Sequence, residues 1–384
     1  MGCMRALTAL ALSGFVLLAG CGRDAPPPPA VELIRLGFAA PLTGAQSHHG
    51  EDMRNGVTLA IEEANAAALV IGGRPVRFEL LAEDDQADPA KATLVAQKLV
   101  DAGIRGMLGH FNSGTSIPAA AVYAQAGIPQ LAMATAPAYT AQGHHTAFRM
   151  MTSDVQQGAA LGHFAVAALG LKRIAVVDDR SAYGQGLAEQ FSAAVHAAGG
   201  EVVSREFTSD RATDFGAILT AIKRARPEAV FFGGADAQAA PMARQMRQLG
   251  LTARLLGGEM IRSPAFLSLA GVAGEGTVAS LAGLPPERMP GGVEFARRHQ
   301  ARFGKPVQVY APYAYDGAMT LIEAMKRADS TDAGRVLPEL ARTRRAGVTS
   351  AAITYDANGD LGEVAITLYE VRSGQWTVLQ AATP

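Results

Sequence analysis

From residue 31 onward, short apolar runs alternate with segments whose apolar residues recur every three or four positions. Residues 33–40 are nearly continuous in apolar character, the pattern of a strand buried on both faces. Met53, Val57, Ala60, Ile61 and Ala64 then share one face of a helix, and 76–81 reads as a second strand. Asp88 followed by Pro89 has the form of an N-cap with proline in the first helical position, and Ala92, Val95, Leu99 and Ala102 continue that helix. Residues 105–109 form a strand, 115–126 a helix stopped by Gly127 and Pro129, and 129–134 another strand. A second series starts near Thr152, with helices over 155–169 and 184–198 and strands over 173–177, 201–207 and 229–232. Phe215, Ile218, Leu219 and Ile222 mark a further helix face, and a helix and a strand follow to Gly257. Beyond Gly283 the pattern predicts helices near 293–303, 310–326 and 333–343, then strands near 351–355 and 365–371. Strand–helix alternation with buried strands implies an α/β fold with parallel sheets covered on both faces. Two such series imply two lobes.

The first thirty residues follow a different rule. Arg5, an apolar run over 6–18, and Ala19-Gly20 before Cys21 have the form of a secretory signal over 1–20. The run is shorter than the roughly 20 residues a spanning helix needs. Leu18-Ala19-Gly20-Cys21 resembles the bacterial lipobox, which implies acylation of Cys21. Residues 21–30, with Pro26 to Pro29 in a row, then read as an anchored, stiff spacer. Cys3 and Cys21 are the only cysteines, so no disulfide is expected in the body of the chain.

Composition narrows the function. The formal net charge is −1, with no basic block and 6% aromatic residues, which gives no footing for nucleic acid. The P-loop, HExxH and Gly-x-Ser-x-Gly patterns are missing, and Gly184-x-Gly186 lacks the third glycine of a dinucleotide loop, with Glu189 instead. No enzyme and no cofactor is expected. His48-His49 and His144-His145 are read as pairs in exposed loops, without a further cluster to make a metal site. Ligands of doubly wound sheets bind beyond the carboxyl ends of the strands. That directs attention to the loops 41–50, 110–115, 133–140, 178–186, 233–238 and 257–262. Ser113 and Thr115 open a helix whose N–H groups suit an anion, Thr135 adds a hydroxyl, and Glu259 offers a carboxylate to a cation.

The stretch GFAAPLTGAQSHHGEDMRNG (37–56) resembles the start of mature Leu/Ile/Val-binding proteins. So do Glu83-Asp84-Asp85 with Asp88-Pro89, Gly109-His110, Ala134-Thr135-Ala136-Pro137, DDRSAYGQGLA (178–188), TDFGAIL (213–219), Gly233-Gly234, 257–259 and YDANGDL (355–361). The resemblance covers essentially all of the chain after the leader. It implies a type I periplasmic binding fold: two Rossmann-like lobes with three crossovers, placed near 150, 282 and 353. The lobes are then 31–150 with 283–352, and 151–282 with 353–384. It also implies a small-molecule ligand in a cleft that closes, an inner-membrane ABC permease as partner, a monomer, and a membrane-anchored lipoprotein in the periplasm or at the cell surface. Ser113 and Thr135 match the positions that hold the ligand carboxylate. The backbone carbonyl of Met133 and the carboxylate of Glu259 match those that receive the ammonium. Tyr183 matches a cleft tyrosine, and Tyr310 a ring beside the ligand side chain. His49 stands where these proteins have an aromatic wall, Ala235 where they have a tyrosine, and Ala87 and Asn112 where they have a disulfide. The expected ligand is an amino acid, branched-chain or a related zwitterion. The alternatives are a short amide, urea or an aromatic acid, or a lipoprotein of the same fold that regulates a protein partner.

Overall fold

The computed structural model describes Met1, residues 31–362 and residues 364–382. Signal, lipidation and spacer expectations for 1–30, Cys21 included, lie outside the described residues.

Two large sheets carry the fold. The first has six strands: β1 (Glu32–Ala40), β2 (Val70–Ile71), β3 (Arg74–Asp84), β4 (Met107–Gly109), β5 (Gln130–Ala132) and β6 (Ala147–Arg149), in the order β2-β3-β1-β4-β5-β6. All pairs are parallel except the β2–β3 hairpin. The second sheet begins with β7 (Arg173–Asp178), β8 (Glu201–Phe207), β9 (Ala229–Gly233), β10 (Arg254–Gly257) and β11 (Val278–Ala282), all parallel. A small separate pair, β12 (Arg344–Arg345) and β13 (Ile353–Thr354), lies between these in sequence and the closing hairpin β14 (Ile366–Arg372) and β15 (Gln375–Ala382). The order is β15-β14-β11-β10-β9-β7-β8. The parallel pattern is therefore broken at one edge: β14 runs antiparallel to both β11 and β15. Sequence reading missed β15, whose apolar residues are largely exposed or half-buried.

Eleven helices among the described residues cover these sheets. They are α1 (Ser47–Ala66), α2 (Pro89–Asp101), α3 (Ser113–Gln125), α4 (Asp154–His163), α5 (Ala182–Ala197), α6 (Gly216–Arg224), α7 (Asp236–Gln248), α8 (Pro264–Ala270), α9 (Gly292–Phe303), α10 (Ala311–Ala328) and α11 (Ala333–Ala341). The helix expected over 155–169 changes to a π-helical turn at Phe164–Ala168. The strands divide their side chains between two cores. Ile34, Leu36 and Phe38 of β1 pack with Met53, Val57 and Ala60 of α1, whereas Ala39 faces Val95 and Leu99 of α2. In β7, Ile174 and Val176 meet Leu187 and Phe191 of α5, while Ala175 and Val177 meet Leu219 of α6 and Met242 of α7. This two-sided burial is why the strands read as apolar runs; each fully buried aliphatic or aromatic chain contributes about 1.5–3 kcal/mol. Leu33 and Arg35 are exceptions, both facing solvent at the start of β1.

The late helices return to the first sheet. Helix α10 lies against α1 so closely that a Cβ at Gly56 would sit 2.0 Å from the Ala311 carbonyl oxygen. The buried Asp52 of α1 accepts N–H donation from Gln308, Val309, Tyr310 and Ala311 at 3.1, 2.9, 2.6 and 3.0 Å, and so fixes the entry to α10. The chain passes between the sheets after β6, after β11 and before β14. The last passage was expected near 353. Instead β13 pairs with β12, Tyr355 bridges Leu361, and Gly359 accepts from Arg149 N–H at 2.9 Å, so the segment stays beside the first sheet until after Leu361.

Candidate ligand-binding cleft

In both sheets the chain moves outward on one side of a strand and then on the other, which opens a crevice at the carboxyl ends of β1/β4 and of β7/β9. The two crevices face each other. Phe111 follows β4, and Ser113 is the first residue of α3, where N–H groups lack partners within the helix. The Ser113 hydroxyl accepts from Ala136 N–H at 3.2 Å. Met133 and Thr135 follow β5, and both are buried. Glu259 sits just beyond β10, 3% exposed. One of its oxygens accepts from Gln157 Nε2 at 2.8 Å and from the Tyr183 hydroxyl at 3.0 Å. Gln157 is itself oriented, because its amide oxygen accepts from Ser280 Oγ at 3.2 Å. Gly258 makes room for this arrangement: a Cβ there would lie 2.3 Å from the Tyr183 hydroxyl.

Ser113, Met133, Thr135, Tyr183, Glu259 and Tyr310 meet around one small cavity of about 10 Å³, joined by Phe111, Asn112 and Met260. A larger cavity of about 210 Å³ lies at the passages between the sheets, lined by Met150, Tyr313, Ile353 and Tyr355 among others. It is mainly apolar, with Asp316 already engaged by the backbone N–H groups of Val348 and Thr349 at 2.8 Å each. The smaller cavity holds the convergent polar groups and is the candidate ligand site.

Two of the expected site residues stand one layer out. His49 does not line the cavity. It stacks behind Phe111 with ring centroids 5.5 Å apart, meets Tyr310 edge-on at 5.3 Å, and points its Nε2 to within 3.6 Å of an Asp236 oxygen. Phe111 and Tyr310, 4.7 Å apart and perpendicular, form the aromatic wall instead. Ala235 caps α7 and lines the neighbouring opening with Asn112 and Met260. The pair His48-His49, expected in an exposed loop, lies in the first turn of α1, with His49 only 1% exposed. His144 and His145 do lie in a loop. Asn112 donates its side-chain amide N–H to Gln46 Oε1 at 2.7 Å.

Sequence reasoning missed Phe111, Gln157 and Asp154. Asp154 is fully buried at the start of α4, its N–H donating to the Thr135 carbonyl at 2.8 Å. Its carboxylate lies beside the Thr135 hydroxyl without a well-directed hydrogen bond. Burial first, and the Glu259 charge second, push its carboxyl well above the ordinary carboxylate range. Burial likewise pushes Glu259 up, to about 7, against the opposing pull of its hydrogen bonds. Two buried carboxyls that resist ionisation, facing a helix N-terminus and hydroxyls, make a site divided into a cation-seeking and an anion-seeking half.

Relatives match most of the chain. A Brucella abortus protein named Leu/Ile/Val-binding protein homolog 2 is 32% identical over 343 residues, covering 89% of this chain and 91% of that protein. A leucine-, isoleucine-, valine-, threonine- and alanine-binding protein of Pseudomonas aeruginosa is 30% identical over 367 residues, 95% of each chain. Among solved structures, a leucine-binding protein from Thermotoga maritima superposes with a TM-score of 0.85 at 27% identity, covering 91% of this chain and 99% of that one. An ABC transporter substrate-binding protein from Desulfitobacterium hafniense, in complex with Leu, reaches 0.75 at 26% identity over 91% and 100%. The sequence profile of the periplasmic binding protein family matches residues 33–375, and with two facing α/β sheets and ligand-binding groups at their carboxyl ends the chain belongs to that family.

Proposed function

We propose that this protein is the extracytoplasmic receptor of an ABC importer and that it captures an amino acid between its two α/β lobes. The observation that carries this reading is Glu259: a buried carboxylate, held by Gln157 and Tyr183, across a cavity from Ser113 and Thr135. The ligand ammonium meets Glu259, with Asp154 nearby and the Met133 carbonyl as acceptor. Its carboxylate meets the hydroxyls of Ser113 and Thr135 and the N-terminus of α3. A buried ion without its partner costs several kcal/mol, so the two halves together select a zwitterion over an amide, urea or a simple acid. The side chain of the ligand rests against Phe111, Tyr310 and Met260. Relatives that bind leucine, isoleucine and valine support this class of ligand.

The test is a thermal-shift and calorimetric screen of the twenty amino acids, with short amides, urea and benzoates alongside. A ligand at 100 times its dissociation constant stabilises by about 2.7 kcal/mol. Response to aliphatic amino acids supports the proposal; response only to uncharged amides or aromatic acids refutes it. Export and anchoring belong to the same proposal. Cleavage before Cys21, acylation of its thiol and the spacer over 22–30 tether a monomeric receptor to the membrane. Cys21→Ala is expected to move the protein from the membrane fraction to the soluble fraction; unchanged fractionation refutes the anchor.

A further inference from the structure

Three side chains beside the cleft are unused by that proposal. His48 and His49 come from the first turn of α1, under the first sheet, and Asp236 is the first residue of α7, on the second. His48 Nε2 lies 2.8 Å from Asp236 Oδ2, and His49 Nε2 lies 3.6 Å from the same oxygen. Ser263 Oγ also donates to that oxygen. These bonds leave two buried atoms over. His49 Nε2 and Asp236 Oδ1 have no hydrogen-bond partner, although His49 is 1% exposed and Asp236 is fully buried. A lone His48–Asp236 pair explains neither, because buried polar atoms are normally satisfied. An ion at the centre satisfies both.

We propose that His48, His49 and Asp236 form a binding site for a divalent transition-metal ion of the zinc class, bridging the two lobes. Two imidazoles and one carboxylate are a donor set that such ions favour. One ligand atom from each residue lies within 4.8 Å of the others. A tetrahedral ion with bonds of about 2.0–2.2 Å holds its ligands about 3.4 Å apart, so side-chain shifts of about 1 Å complete the site. The His48 side chain is 23% exposed, which gives the ion a path from solvent and leaves room for water in the fourth position. Since the ligands come from both lobes, the ion holds them together without any solute in the cleft. The site stands whatever solute the cleft takes.

The test uses the purified protein, stripped with a chelator, free of amino acid, and titrated with zinc chloride by calorimetry. The expected result is one ion per chain with a dissociation constant of about 1 µM or tighter. His48→Gln and Asp236→Asn are each expected to weaken it about tenfold or more. Neither is in the proposed solute site, and the Asn variant keeps the shape of Asp236. Zinc alone should also lower the radius of gyration in small-angle scattering, a readout independent of affinity. Replacing His144 and His145 together with Gln should change nothing. Absence of saturable zinc binding below about 100 µM overturns the proposal. So does binding that survives both His48→Gln and Asp236→Asn, or that disappears with His144 and His145. The amino-acid screen is run without metal, so its failure leaves this result readable, and the reverse.

Discussion

Replacing Glu259 by Gln separates two effects that usually travel together. The side chain is 3% exposed and accepts from Gln157 and Tyr183. In the ligand-free protein burial has raised its pKa from 4.5 to about 7. A carboxyl with a raised pKa stabilises the folded form fully below the unfolded value, and that contribution is lost as pH rises from about 4.5 through about 7. At about 1.4 kcal/mol per unit, keeping it ionised at pH 8 costs about 3 kcal/mol. Glutamine removes this cost; its amide oxygen can still accept from both neighbours, but bonds to a neutral acceptor are weaker than bonds to a carboxylate, which returns about 1 kcal/mol. The empty Glu259→Gln protein at pH 8 is therefore expected to melt at the wild-type temperature or higher. Amino-acid binding is expected to fall by about 3–5 kcal/mol, roughly 150- to 4,000-fold, because the ligand ammonium loses its anionic partner. Asp154 supplies a second anion nearby, which favours the lower end of that range. Calorimetric titration at pH 8 and scanning calorimetry of the empty protein check the two arms. Binding within threefold of wild type would refute the assigned role of Glu259, and a clear drop in melting temperature would refute the burial cost.

Three other outcomes follow from the same geometry. Ligand ammonium lowers the raised pKa values of Glu259 and Asp154, so binding near pH 6 should release protons; titrations in buffers of different ionisation enthalpy should give different heats. Gly258→Ala puts a Cβ 2.3 Å from the Tyr183 hydroxyl and 2.4 Å from Leu187 Cδ2; a loss of about 1–3 kcal/mol in denaturant unfolding is expected, with weaker ligand binding. Asp52→Ala strips four backbone N–H groups of their acceptor and should cost about 3 kcal/mol or more, with ligand affinity falling as well because Tyr310 is one of the four; unchanged stability would contradict the role given to this carboxylate.

The alternation of elements was legible because most strands are covered on both faces and so leave uninterrupted apolar runs. Ser113, Thr135 and Glu259 were legible because each closely follows such a run. Other features carry no local signal. Phe111 looks like core, and it is core on one side. Asp154 and Gln157 look like the ordinary first turn of a helix; only the passage from β6 to α4 carries them under Thr135 and Glu259. His48 and His49 look like an exposed pair because Asp236 lies 188 positions from His48 in sequence. The third passage was misplaced because the strand near 353 pairs with a two-residue strand too short to recognise from pattern.

The contact between α1 and α10 bears on when the protein can fold. Met53, Val57 and Ala60 stand close to the beginning of the described chain, but the helix that covers them, with Leu321 and Met325, arrives some 260 residues later. A chain that emerges from its N-terminus must therefore make β7 to β11, the parallel part of the second sheet, before the first can close. Until α10 appears, the face of α1 stays open and the Asp52 carboxylate lacks the N–H groups it holds in the finished protein. Order of synthesis and order of completion run opposite ways here, so an unfinished chain remains loose enough to be threaded through a narrow channel, and the receptor becomes rigid only once nearly all of it has passed.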